Sequence, residues 1–230
     1  MTTAPCPQQA HDPDYETWFA GCFDRPAGDD PFDDWYWTAL DDPFALSPSI
    51  AARHVLRLLE DPGRQLETHH PNQIASGLKY IFDPGCGGDA RLIGAPEVAQ
   101  ADRLAFAARI DRLYGELFGP LCPPVLGHLS EEGGRLAGLA YMFWDVVCFD
   151  MPPREQDAQA FREALLEAMG RTLALPHAGA QEGALHGLGH WGSANPRLAE
   201  RIIDRWLDEG RPARPELITY ARGARCGCVL

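Results

Sequence analysis

The chain almost lacks lysine. Of its 20 basic residues only Lys79 is a lysine; the other 19 are arginines, set against 33 Asp and Glu for a formal net charge of −13. The clustered positive surface that grips nucleic acid or an anionic membrane is therefore scarce. Long apolar runs are missing too. The best of them, 136–149, is cut by Asp145 and falls short of the ~18 residues that read as a membrane span. Residues 1–13 carry neither the basic nor the apolar stretch of a secretory signal. The seven cysteines, at 6, 22, 86, 122, 148, 226 and 228, have no paired spacing, so reduced thiols are expected. Together these absences point to a cytoplasmic protein with no membrane contact.

Catalytic and cofactor motifs are equally sparse. The loop Gly85-Cys86-Gly87-Gly88 lacks the Lys-Ser/Thr of a phosphate cradle, Gly-x-Ser-x-Gly is absent, and no motif requires a cofactor. Cys86, in a glycine-rich loop, is a candidate reactive thiol without a supporting base. Cys226 and Cys228 form the one close pair, in the tail 224–230, which does not fit a prenylation signal because Gly227 occupies the fourth position from the end.

What is present is uneven charge. Residues 1–46 hold nine Asp, one Glu and one Arg, a net of −9, so the other 184 carry −4. The same stretch holds nine of the 22 aromatics. Such rings are costly to leave in water, which argues for short helices pinned by aromatic anchors. Two readings follow: a hydrophobic cap on the next domain, or a docking surface, with Trp35 and Trp37 at its centre, for a basic protein partner.

From residue 47 onward the spacing of apolar residues is helical and strand-like alternation is absent, so the fold class is all-α. Helices are expected from Ser47-Pro48 to about 60, from His70-Pro71 to 82, and over 96–118, 130–149, 153–175, 180–192, 195–209 and 215–222. Self-comparison adds a repeat. Residues 73–82 align without gaps on 134–143 and, in part, on 183–191, sharing Gly-Leu-x-Tyr/His at Gly77, Gly138 and Gly187. Mid-helix glycine costs about 1 kcal/mol relative to alanine, so a common register suggests close backbone approach. Residues 50–60 parallel 198–208 as partner helices.

This plan resembles that of HEAT-repeat α-solenoids of the bacterial kind, most closely over 180–210 and loosely over 47–223. The unit spacing is irregular and the inter-helix Pro-Asp-Val pattern is missing. The resemblance implies stacked helix pairs over 47–223 and a non-catalytic scaffold or inhibitor that binds a protein partner, for example an immunity protein against a basic toxin. Alkylpurine DNA glycosylases built on the same plan supply the enzyme alternative, which the net charge opposes.

Three candidate sites remain. Arg197, Arg201 and Arg205 form a row echoed by Arg53 and Arg57, interleaved with Glu200, Asp204 and Asp208, so self-neutralising ladders are expected. Tyr80, Tyr141 and His190 share one repeat position and would line a contact surface if the repeats stack. His186 and His190, four apart on a helix, can converge on a metal, but no third ligand stands at diagnostic spacing. The helical wheel directs both away from the Leu185–Leu188 stripe, toward a surface or an inter-repeat seam. Asp145 requires a partner inside its apolar helix, and a neighbouring arginine is the expected one.

Overall fold

Proline at the first helical turn, where its missing N–H costs nothing, starts α2 (Pro48–Leu58), α3 (Pro62–Gln65), α4 (Pro71–Phe82) and α10 (Pro196–Asp208). Polar caps start others: Asp14 accepts from the Thr17 amide at α1 (Tyr15–Phe23), and His177 accepts from the Ala180 amide at α9 (Ala178–Trp191). The remaining helices are α5 (Gln100–Ala107), α6 (Gly119–Leu121), α7 (Gly134–Val146), α8 (Glu155–Leu173) and α11 (Glu216–Arg225). The computed structural model describes residues 12–37 and 45–229. Among these there is no strand, and no helix is long and apolar enough to cross a membrane.

Two expected helices are shorter than their periodicity suggests, each for a tertiary reason. The helix expected over 96–118 stops at Ala107, where Arg171 of α8 donates to the freed Ala107 carbonyl at 2.8 Å and pairs with Asp111. The chain then turns through a π-helical segment, Tyr114–Phe118. The helix expected over 130–149 starts at Gly134, because Glu131 stays in the loop. Its carboxylate accepts from the Leu126 amide and pairs with Arg214, which holds it below the usual carboxylate range.

The helices pack in two chains of neighbours. In the first, α1, α4, α7, α9 and α11 touch in that order; in the second, α2, α5, α8 and α10 do. Helix α9 sits between α7, α8 and α11, and every residue from 181 to 189 is buried. At Gly187 a Cβ would meet the Trp144 ring at 2.6 Å, and at Gly77 it would collide with the Phe23 ring. The close approach expected from the shared glycine register is met at these two positions. At Gly138 nothing lies within 4 Å, so packing does not require glycine there.

The acidic-aromatic stretch is tied to the helical body through buried groups. The Trp18 indole donates to Asp89 at 2.7 Å, and Asp34, 1% exposed, pairs with Arg135 of α7 and accepts from Tyr36 at 2.6 Å. Expectations that fall on residues 1–11 and 38–44, Cys6 and Phe44 among them, lie outside the described residues.

Candidate metal centre

Because α9 is enclosed on all sides, an apolar stripe does not define an inner and an outer face on it. His186 is fully buried between Asp145 of α7 and Tyr220 of α11, so of the two placements the helical wheel allows it takes a seam between helices and not a surface. His190, one turn on and at the mouth, keeps 39% of its side chain exposed. Between α9 and the end of α7 stands Asp145, 29% exposed. Its Oδ2 lies 2.9 Å from His186 Nε2, and its Oδ1 lies 3.3 Å from His190 Nε2. The partner of Asp145 is thus a histidine pair and not an arginine. One donor atom from each of the three residues lies within 4.8 Å of the other two.

The two carboxylate–imidazole distances, each to a different oxygen of Asp145, are hydrogen-bond and ion-pair distances that also fall near the range an ion imposes on its donors. Nitrogen and oxygen donors at about 2.1 Å from a metal sit roughly 3.0–3.4 Å apart for bond angles between square and tetrahedral. The second ring nitrogen of His186 is engaged as well, with Nδ1 2.7 Å from the Tyr220 hydroxyl of α11. The Tyr141 ring lies against the His186 ring at 4.8 Å, and its hydroxyl is 3.4 Å from that of Tyr220. Burial raises the pKa of both phenols, so they act as neutral hydrogen-bonding groups. Outward, Asp145 and His190 open onto a groove of about 360 Å³ that is also lined by Trp144, Val147, Trp191, Ser193 and Ala194.

A second carboxylate–histidine pair stands further back on the same helix. Glu182 is wholly buried and accepts from the Gly127 amide at 2.7 Å, the His128 amide at 2.9 Å and His128 Nδ1 at 2.5 Å. The His128 ring stacks on Tyr220 at 4.5 Å, so the two clusters share one tyrosine.

The other sequence candidates are dispersed. Tyr80 is 1% exposed and lies beneath Trp35 at 4.7 Å, so Tyr80, Tyr141 and His190 do not form one exposed surface. Their shared register sets which helix each faces, and an added segment covers Tyr80. Trp35 is half-buried, with Arg25 over its ring at 5.1 Å, while Trp37 stays 45% exposed. The arginine row is not self-neutralised as expected. Glu200 and Asp204 turn instead to Arg225 of α11, at 3.8 and 2.7 Å, leaving Arg201 and Arg205 on the exposed side of α10. Arg53 and Arg57 line a groove with Glu60, Asp102 and Arg109, whereas Arg205 lines a different one with Glu167, Arg171, Glu209 and Arg211. Each groove mixes both charges, so the arginines do not join into one positive channel. Burial pushes the Cys86 thiol up to about 12, which removes the thiolate a reactive cysteine needs. Cys226 and Cys228 are exposed on the tail after α11, with the Cys226 thiol turned to the Gly223 carbonyl at 3.2 Å.

Sequence reasoning found both histidines but not their company. Asp145 was visible as a charge in an apolar helix; what it faces depends on how α7 packs on α9. Tyr220, in the last helix, carried no signal of its own. No family model matches the chain, no curated protein matches it, and no solved structure matches it.

Proposed function

We propose that this helical protein binds a divalent transition metal through Asp145, His186 and His190. The observation that carries the reading is the arrival of a carboxylate from α7 within hydrogen-bonding reach of both histidines of α9. Two imidazoles and a carboxylate favour zinc, iron(II), cobalt or nickel over calcium and magnesium, which select oxygen donors. Three protein ligands leave coordination positions for water or a small ligand, the mark of a centre that binds or activates rather than one that only braces the fold. The groove beside His190 gives such a ligand access.

The experiment is elemental analysis of the purified chain, followed by chelator stripping and reloading. Near-stoichiometric zinc, iron, cobalt or nickel, lost in His190→Ala, supports the site. Uptake that is equal in wild type and variant eliminates it.

The neighbour order of the helices supports a HEAT-like stack of helix pairs as the scaffold for this centre. A second role rests on a separate observation. Phe32 is 80% exposed and Trp37 45% exposed, amid the exposed carboxylates Asp29, Asp30 and Asp33. Apolar rings ringed by negative charge suit a basic protein partner, and an inhibitor or immunity protein is the concrete version of that reading. Loss of a captured basic partner in a Phe32→Ser, Trp37→Ser double variant supports it; undiminished capture refutes it.

A further inference from the structure

The geometry points to Tyr220 as the positioning residue that lets His186 exchange a proton on Nε2 for a metal without leaving a buried ring nitrogen unpaired. The inference rests on the metal reading above and deepens it. His186 is wholly enclosed, so water cannot serve whichever ring nitrogen lacks a protein partner. The neutral ring carries one proton, on one nitrogen or the other. Without metal, Nε2 faces Asp145 Oδ2 at 2.9 Å. For the neutral ring, a carboxylate that only accepts places the proton on Nε2, and Nδ1 then accepts from Tyr220 at 2.7 Å.

A metal on Nε2 displaces that proton, which leaves through Asp145 to the open groove. Nδ1 takes one up through the partly exposed Tyr220–Tyr141 pair, so the ring ends in the opposite tautomer with Nδ1–H donating. A metal-bound histidine usually meets this need with a carboxylate or carbonyl, groups that only accept. Neither would satisfy the metal-free ring here. A phenol does both: its oxygen accepts from Nδ1–H while its own proton swings toward the Tyr141 oxygen, 3.4 Å away. The stack of Tyr220 on His128 at 4.5 Å holds the hydroxyl at this spot.

Nitrogen-15 NMR of the imidazoles, run on the full chain with and without zinc, reads the two states directly. The expected result is Nε2–H on His186 in the stripped chain and Nδ1–H after zinc is added. In Tyr220→Phe, zinc affinity falls roughly 10–100-fold, the range typical of losing an outer partner of a metal-bound histidine. The same tautomer before and after zinc, or a Tyr220→Phe variant that binds zinc like wild type, overturns the inference while leaving the metal site intact. Wild type that takes up no zinc, cobalt, nickel or iron(II) overturns the metal reading itself, and this inference with it. The tautomer measurement needs no substitution, so it decides the matter even if Tyr220→Phe does not fold.

Discussion

Two carboxylate–histidine clusters flank the same buried helix, and they differ in how completely the carboxylate is satisfied. Glu182 is dry, and its oxygens are taken by two backbone amides and one imidazole, all from the Gly127–His128 turn. Asp145 is 29% exposed and, among the described residues, meets only the imidazoles of His186 and His190. The first arrangement has no capacity left for an ion and fastens a loop to α9. The second has lone pairs and an open side, which is what the proposed metal receptor requires. Burial and backbone donors, more than residue type, separate a structural lock from a binding site.

The sharpest way to break this comparison is to remove each carboxylate in turn. Glu182→Ala strands His128 and two amides and is expected to cost about 3–5 kcal/mol of folding stability, measured by urea unfolding. Asp145→Ala leaves the buried Nε2 of His186 without its partner but frees a partly solvated carboxylate position, and is expected to cost about 1–3 kcal/mol in metal-free protein, less than Glu182→Ala. Equal losses at the two positions would mean that both clusters are structural.

Metal addition tests the other side. With free zinc at about 100 times its Kd, the wild-type chain gains roughly 2.7 kcal/mol of stability, seen as a raised Tm. Glu182→Gln, if folded, retains that gain, and His190→Ala loses it. A gain unchanged in His190→Ala would place zinc elsewhere.

The seam that carries Asp145 to the histidines gives a smaller effect. Gly187→Ala drives a methyl against Trp144 of α7 and is expected to cost about 1–3 kcal/mol. Gly138→Ala, exposed on α7 with nothing within 4 Å of the new methyl, is expected to stabilise by about 0.5–1 kcal/mol. Denaturant midpoints of the pair show whether the α7–α9 contact is as close as the site requires. The smallest effect belongs to the exposed ring of the acidic segment: Phe32→Ser should leave stability within about 0.5 kcal/mol of wild type. A larger loss would make that ring part of the fold instead of a docking surface.

Much of the helical architecture was legible because apolar periodicity and proline or polar caps are local. Ser47-Pro48, His70-Pro71 and Asn195-Pro196 open helices where expected. The helices that fell short did so through long-range partners, Arg171 for α5 and Arg214 for α7, which local reading cannot supply. The candidate site divides in the same way. The His186–His190 spacing is a property of one helix and was visible. Asp145 and Tyr220 arrive from helices packed on either side of α9, so their roles depend on tertiary order. The wheel left His186 between a surface and a seam; it lies in a seam because a central helix buries its polar positions as well, provided each finds a partner.

The central claim is tested most directly by titrating zinc into chelator-stripped wild type and His190→Ala in a calorimeter. Wild type is expected to bind one equivalent, with affinity reduced on the order of 100-fold or more in the variant, since loss of a ligand exceeds loss of its outer partner. No binding by wild type, or identical isotherms for both proteins, would contradict a metal centre at Asp145, His186 and His190.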